Sequence, residues 1–514
     1  TSRKYKPEEI DLDLLAKKAV EVLSAKPFQF QLEAAAAILR GEDLIIDVGT
    51  GAGKPLCFTL PLLLNTEDIS MIVSPLSALM IDQAASSKIP TVAVCSETLT
   101  RFGSDKDIVL GKFRQVIVSP EIATSSAFRK AALSKPQFTS KLRCVGIDEA
   151  HCVSLWGGSF RPDYADLGLL RARIPSNVPF VVASATLPEH VLDELRLKLG
   201  LSKDPARISL TNARPNIALS VRAMQFPEES RADLRFLIPP QASKPEHIPV
   251  TLGYCNTRLA CEDACDAVRR WAADEGIPPE CIAFYHAKIG QEQKRNLKER
   301  LRKGKIRILF CTDAVGMGCD MRSIERVVLW GLPLSFCALV QRAGRAVRDL
   351  TRLGEAILIV PSSVLKNGVT ELDVELGINT ASKDAESENR GTEEATDLAL
   401  LGIEVTTGLK EVSVTGGGIR VSKDSDEEDG EPEEVKHKRR KKLSKDANSR
   451  EARFLSRFAV TKKCRRKIWD EFFQNALKRK SIWHWFATVD PRLSSSIGVS
   501  REHPLPTTAR RTVL

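Results

Sequence analysis

From about residue 25 to residue 362, short runs rich in β-branched residues alternate with amphipathic stretches. This is the pattern of parallel strands joined by crossover helices. Strand-like runs occupy residues 43–48, 71–74, 115–119, 144–147 and 180–183, then 250–254, 282–285, 306–311, 326–330 and 355–360. Five followed by five predicts two similar α/β lobes, divided as residues 25–205 and 206–362 behind an N-terminal extension, residues 1–24. Between them, over residues 200–245, the composition turns to Pro and Arg and the periodicity weakens, as expected of a connection between lobes.

After Pro361 the pattern is lost. Residues 363–450 read as a disordered linker, acidic and then basic, because a polar stretch poor in aromatics buries too little surface to offset its ordering entropy. Residues 451–514 regain aromatics, among them Phe454, Phe458, Trp469, Phe472 and Phe473, and predict a small folded or partner-folded element.

Charge follows the same divisions. The net +10 of the 514 residues is an average over three regimes. Residues 1–362 carry 48 Lys and Arg against 41 Asp and Glu, residues 363–435 carry 6 against 19, and residues 436–514 carry 22 against 6. A polyanionic partner is expected, and deletion of 436–514 is expected to weaken salt-sensitive, nonspecific binding of it while leaving residues 1–362 and any site they hold intact. The basic run 436–442 fits a nuclear localisation signal or a nucleic-acid patch, and equally a solvated charge run.

Other classes are excluded by composition. The most apolar run, residues 56–64, contains Thr59 and Pro61 and is far short of the roughly 18–20 residues that span a bilayer. The first residues, Thr1-Ser2-Arg3-Lys4, have no apolar core of a secretory signal. Twelve Cys without CxxC pairs, many inside strand-like runs, fit a reducing compartment and buried thiols, not a disulfide framework.

The candidate chemistry begins where the run 43–48 enters Gly49-Thr50-Gly51-Ala52-Gly53-Lys54, followed by a helix-like stretch. Glycines let backbone N–H groups converge on phosphate oxygens, and Lys54 adds a point charge for the β and γ phosphates. A second strand ends in Asp148-Glu149-Ala150-His151. Asp148 at a strand's carboxyl end suits Mg²⁺, and Glu149 suits orientation or deprotonation of an attacking water. In the second lobe, Arg345 and Arg348, three apart in a helix-like run, would share one face and reach a γ-phosphate when the lobes close.

With these motifs in order, the chain resembles the superfamily 2 helicases, and more narrowly the RecQ family of DNA helicases, over about residues 25–362. The most specific stretch is Asp148-Glu149-Ala150-His151-Cys152-Val153-Ser154-Leu155-Trp156 and on through Gly157-Gly158-Ser159-Phe160-Arg161-Pro162-Asp163-Tyr164, similar to the family's DEAH box and aromatic-rich loop. The resemblance implies two RecA-like P-loop NTPase lobes in tandem, an α/β fold, with ATP and Mg²⁺ used to unwind DNA in the 3′ to 5′ direction. It implies ATP binding at Gln31, Thr50, Gly51, Ala52, Gly53 and Lys54, with Mg²⁺ at Asp148. Catalysis falls to Glu149, Arg345 and Arg348, and contact with single-stranded DNA to Trp156, Phe160, Arg161 and Tyr164. Gln31 lies in Pro27-Phe28-Gln29-Phe30-Gln31, which resembles the adenine-reading glutamine motif; Ser184-Ala185-Thr186 looks like motif III and the run from Thr312 to Asp320 like motif V. Aromatic faces and a guanidinium beside a nucleotide site are able to stack on unpaired bases without any analogy.

Departures from the family pattern are as informative. Pro55 stands where the phosphate loop normally ends in Ser or Thr, removing a hydroxyl for Mg²⁺ and a backbone N–H, and disfavouring a helical Lys54. Leu155, Gly158 and Ser159 replace the Gln, His and Asp usual in the aromatic loop. Cys464-Arg465-Arg466-Lys467-Ile468-Trp469 resembles the start of the family's zinc subdomain, but no Cys follows Cys464, so no structural zinc is expected from a site that needs four ligands. An ATP-dependent helicase with turnover reduced by Pro55 is the leading reading. A nucleic-acid-binding protein that has lost hydrolysis, and an RNA helicase on the same lobes, stay open beside it.

Overall fold

The computed structural model describes residues 4–98, 105–154, 164, 166–313, 323–347, 352–376 and 433–478. Two parallel sheets stand in tandem. The first is ordered β3-β4-β2-β5-β6-β1-β7, from β1 (Leu44–Asp47), β2 (Ile69–Val73), β3 (Thr91–Val94), β4 (Gln115–Val118), β5 (Leu142–Ile147), β6 (Phe180–Ser184) and β7 (Ala206–Ser209). The second is ordered β10-β11-β9-β12-β13-β8, from β8 (Ile217–Ala223), β9 (Thr251–Cys255), β10 (Ile282–Tyr285), β11 (Ile308–Cys311), β12 (Arg326–Trp330) and β13 (Gly354–Val360). Strands β1, β2, β4, β5 and β6 are buried throughout, as expected where helices cover both faces of a parallel sheet.

All ten expected strands are present, and three more appear. Strand β3 is a short Thr-Val-Ala-Val run behind Pro90; β7 and β8 are edge strands in which Ile217 alone is fully buried, so their apolar signal is weak. Their presence corrects two expectations. Residues 200–245 are not a plain connection, since β7 completes the first sheet beside β1 and β8 completes the second beside β13. The expected boundary at 205/206 therefore falls one strand too early, and the crossing lies between Ser209 and Ile217.

Of the extension 1–24, the described residues 4–24 fold onto the first lobe. The helix Leu12–Leu23 is capped by Asp11, whose carboxylate accepts from the N–H groups of Asp13 and Leu14, and its Leu15 and Ala19 pack with Leu32, Ala35 and Leu60.

The expected linker 363–450 is helical at both described ends, as Ser362–Asn367 and as part of the 28-residue helix Glu433–Val460. That helix and a second, Arg465–Phe472, close over the junction of the lobes. Glu451, fully buried, accepts from the N–H of Phe336 in the second lobe at 2.6 Å and meets His190 Nε2 of the first at 3.1 Å. Phe472 sits at the centre of an aromatic cluster, its ring centroid 4.7 Å from Phe336, 5.0 Å from Phe454, 4.9 Å from Phe473 and 5.8 Å from His190. The described part of the tail, residues 447–478, therefore belongs to the same core as the sheets, against the expectation that 436–514 is separable from the lobes. Replacing Phe472 with Ala is expected to cost about 3–5 kcal/mol, read as a lower urea midpoint for unfolding. An unchanged midpoint would show that the tail does not pack on the lobes.

Candidate active site

In the first sheet, β5, β6 and β1 are neighbours, so the loops leaving their carboxyl ends converge. Ligands bind at such ends in open α/β sheets. From β1 comes the phosphate loop, from β5 the pair Asp148 and Glu149, and from β6 the turn Ser184-Ala185-Thr186.

The loop 49–54 runs from β1 into the helix Pro55–Thr59. Gly51 and Gly53 take φ of 90° and 74°, the left-handed region, and a Cβ on Gly53 would lie 2.9 Å from Gln31 Nε2. Gln31 is nearly fully buried, and its amide is engaged with this loop. Its Nε2 donates to the carbonyls of Gly53 at 2.8 Å and Ala52 at 3.2 Å, while Oε1 accepts from the N–H of Phe28 at 2.8 Å. Gln31 thus braces the loop, a role that the adenine-reading expectation did not include. Lys54 is buried and donates from Nζ to the carbonyl of Val48 at 3.1 Å, folding back over the loop.

Pro55 is accommodated. It occupies the first helical position, where an N–H has no intrahelical partner, and Lys54 adopts φ −48°, ψ −38°. The expected disfavour for a helical Lys54 is therefore not realised, because the turn it caps holds it. The absent hydroxyl and the absent N–H remain as local losses.

Asp148 follows β5 and is buried, its N–H bonded to the carbonyl of Val73 and its Oδ1 accepting from the N–H of Glu149 at 3.0 Å. Burial, and then the neighbouring Glu149 charge, push its carboxyl up to about 7, against the opposing influence of Lys54. Glu149 takes φ 47°, ψ 43°, a left-handed conformation costly for a residue with a Cβ. Its Oε2 lies 3.3 Å from His151 Nδ1. Burial lowers the His151 pKa, so the imidazole is neutral near neutral pH. Tyr164 is fully buried and donates from its hydroxyl to the carbonyl of Asp148 at 3.1 Å, which makes it a support for the acidic turn. Trp156, Phe160 and Arg161 lie outside the described residues.

A chain of hydrogen bonds leads from His151, beside the acid pair, to the second lobe. His151 Nδ1 is 2.8 Å from Ser184 Oγ; Ser184 Oγ accepts from the N–H of Thr186 at 3.3 Å; Thr186 Oγ1 accepts from Gln341 Nε2 at 2.7 Å. Gln341 belongs to the helix Phe336–Ala343, which follows β12. On the same helix Arg342 is buried and forms a bidentate pair with Asp313 at 2.8 and 2.7 Å, with a further bond to Asn256 Oδ1 at 2.8 Å. Asp313 and Asn256 follow β11 and β9, so three adjoining strands again feed one cluster.

The helix ends at Ala343, which corrects the idea of a shared helical face for Arg345 and Arg348. Arg345 lies in the turn beyond it, partly buried and near enough to His151 to act on it electrostatically; Arg348 is outside the described residues. Arg342 passed unnoticed in the sequence because Arg-rich runs usually read as surface. The one local signal was its place between the apolar residues Val340 and Ala343 on a strongly amphipathic helix.

A Mg²⁺ ion accompanying a nucleotide fits the residues present. Asp148 is a buried carboxylate whose pKa is raised by burial and then by the Glu149 charge, so a cation beside it would favour its ionised form, while Pro55 contributes no hydroxyl. Mg²⁺ commonly takes only one or two protein carboxylates, the rest of its shell being phosphate and water.

Comparison with known proteins agrees with this geometry. Residues 28–195 match the DEAD/DEAH box helicase family and residues 241–349 the helicase conserved C-terminal domain. The ATP-dependent DNA helicase RecQ of Synechocystis sp. is 31% identical over 347 residues, 65% of this chain and 68% of that protein. The ATP-dependent DNA helicase Q5 of Mus musculus is 30% identical over 335 residues, 62% of this chain, but the match spans only 33% of that longer protein. Among solved structures, Mss116p bound to ssRNA and AMP-PNP superposes with a TM-score of 0.55 at 20% identity, covering 71% of this chain and 76% of that one. Lhr of Mycobacterium smegmatis bound to ssDNA and AMP-PNP gives 0.51 at 21%, covering 71% and 50%; at these identities both likenesses concern the fold. Matched across both lobes, and over two thirds of the cyanobacterial protein, the chain belongs to the RecQ family of helicases.

Proposed function

We propose that the chain is an ATP-dependent DNA helicase that hydrolyses ATP between its lobes and moves 3′ to 5′ along one strand. The observation that carries this is the hydrogen-bond chain from His151, which lies beside the Glu149 carboxylate, through Ser184 and Thr186 to Gln341, which ties the acidic turn to the second lobe. Relatives named as DNA helicases support DNA as the track; the polarity rests on the family resemblance.

In this reading the backbone of residues 49–54 receives the phosphates, and Lys54 leaves the Val48 carbonyl to meet the β and γ oxygens. Asp148 holds Mg²⁺, whose bound form supplies charge neutralisation at the phosphoryl group. Glu149, fixed in its unusual backbone conformation beside His151, orients and accepts a proton from the attacking water. Arg345, and Arg348 by its sequence position, approach the γ-phosphate when the lobes close. Residues 436–442 are proposed as a nuclear targeting or nucleic-acid patch.

Pro55 favours a second reading, a nucleic-acid-binding protein with impaired hydrolysis. Steady-state ATPase on the full chain with and without single-stranded DNA separates the two. Glu149→Gln is expected to lower DNA-stimulated turnover by about 100-fold or more, and a chain with no stimulated turnover to remove favours the second reading. Pro55→Thr is expected to raise Mg²⁺-dependent turnover; an unchanged rate would show that the missing hydroxyl is not limiting.

The Asp148 carboxyl, raised to about 7, is protonated below that pH in the nucleotide-free protein. Because Mg²⁺ requires the carboxylate, Mg²⁺-dependent nucleotide affinity is expected to rise with pH up to about 7, by roughly tenfold per unit below it. Glu149→Gln removes the neighbouring charge, so the midpoint is expected to move to lower pH. Equilibrium titration with a fluorescent ATP analogue reads both, and a midpoint unmoved by the substitution would rule out the Glu149 charge as a cause.

A further inference from the structure

Strand β1 ends in an acid. Asp47 is fully buried, in register between Ser184 of β6 and Ser209 of β7, two residues before the glycine that opens the phosphate loop. An isolated carboxylate at such a place is costly. Its partner comes from the far end of the described chain: Lys478 Nζ pairs with Asp47 Oδ2, while Oδ1 makes no hydrogen bond among the described residues. Beyond Lys478, the cations that act on this carboxylate are Arg207 and Lys54. Burial is the strongest influence on this carboxyl and raises its pKa; the Lys478 cation is the largest opposing one, so Lys478 is what favours the charged form beside the lysine of the phosphate loop.

A second contact reaches the loop from the same segment. A Cβ on Gly49 would lie 3.4 Å from Asn212 Cα, so the start of the loop rests against Asn212. The Oδ1 of Asn212 accepts from Trp469 Nε1 at 3.0 Å and from Asn475 Nδ2 at 2.9 Å, and its N–H donates to Asn475 Oδ1 at 3.3 Å. Its own Nδ2 donates to the carbonyl of Ala185 at 3.1 Å, inside the turn that carries Ser184 and Thr186. The other end of the segment grips the second lobe, where Glu451 accepts from Phe336 N–H at the first residue of the helix bearing Gln341 and Arg342.

We propose that residues 447–478 position the phosphate loop, Lys478 acting through Asp47 and Trp469 and Asn475 acting through Asn212, so that docking of this segment and nucleotide binding strengthen each other. The proposal rests on the reading of residues 49–54 as a nucleotide site. Lys478 and Asn475 touch no nucleotide; they are positioning residues, and what they set is the placement of the loop and the availability of Lys54. Reciprocity follows from linkage: whatever factor docking adds to nucleotide affinity, nucleotide adds to docking.

The test uses the full chain, its Lys478→Met and Asn475→Ala variants, and the double variant Asp47→Asn with Lys478→Met. Binding of a fluorescent ATP analogue with Mg²⁺ is titrated, and tryptic cleavage within the tail, at Arg457 and Arg465 to Lys467, is timed with and without ADP. Lys478→Met is expected to weaken binding about tenfold, the size of a modest coupling between sites, and Asn475→Ala to weaken it less. The double variant, with no charge left to compensate, is expected to recover most of the affinity. ADP is expected to slow tail cleavage in the parent chain and to lose that effect in Lys478→Met. A purely structural pair would lower the thermal midpoint yet leave affinity, recovery and protection unchanged, and that result overturns the proposal. Should Lys478→Met fail to fold, Asn475→Ala and the double variant carry the same comparison. A parent chain that binds no nucleotide, with Lys54→Ala making no difference, overturns the nucleotide site itself; a parent that binds and variants that bind equally well overturn only the role of the tail.

Discussion

Two carboxyl groups side by side at the end of β5, both largely withdrawn from water, set the terms for everything around them. Asp148 is buried with no lysine or arginine hydrogen-bonded to it among the described residues, and Glu149 beside it raises the cost of its charge further. Such a pair is stable only where its ionisation is deferred or met by a cation. A parallel sheet makes this arrangement available, because successive crossovers bring the carboxyl ends of β5, β6 and β1 to one edge and leave the opposite edge for connections. The supports of the acid turn are correspondingly dense: the hydroxyl of Tyr164 below it, the ring of His151 beside it, and the Val73 carbonyl holding the Asp148 N–H.

The second lobe repeats the geometry with the charges inverted. Arg342 is buried where Asp148 is, but its charge is met by the bidentate carboxylate of Asp313 and by Asn256, so it is a fixed brace and not a titrating group. This frees the neighbouring Gln341 to point across to Thr186. One lobe thus presents an electrostatically unfinished cluster and the other a finished one, with the neutral hydrogen bonds from His151 through Ser184 and Thr186 to Gln341 among the links between them. A link of neutral groups is inexpensive to break and remake, which suits lobes that must separate and rejoin.

The local motifs were legible because their chemistry is contiguous. Glycines at 49, 51 and 53 before Lys54, and Asp148-Glu149 at a strand end, declare strained turns and converging groups within a few residues. The ten strong strands were legible for a similar reason, whereas β7 and β8 escaped because an edge strand needs an apolar face on one side only. The face shared by Arg345 and Arg348 was misjudged by extending a helix past Gly344. The aromatics of the tail are legible as a folded element, but its packing against Phe336 and His190 is not, because no local pattern says which surface an aromatic cluster covers. Nothing local to Asp47 or to Lys478 announces a pair separated by 431 positions; a buried acid in an otherwise apolar strand was the one visible sign that a distant cation was required.

The distribution of sulfur gives the molecule a built-in reporter. Of the eleven described cysteines, ten are buried, and desolvation pushes the thiols of Cys57 and Cys144 up to about 12, so they react slowly as well as being shielded. Cys464 alone among them is exposed, at the cap that opens the helix Arg465–Phe472 between the aromatic cluster and Asn475. Among the described cysteines, Cys464 is therefore the one that a maleimide dye would reach under native conditions, and fluorescence anisotropy at that position would follow the segment that spans both lobes.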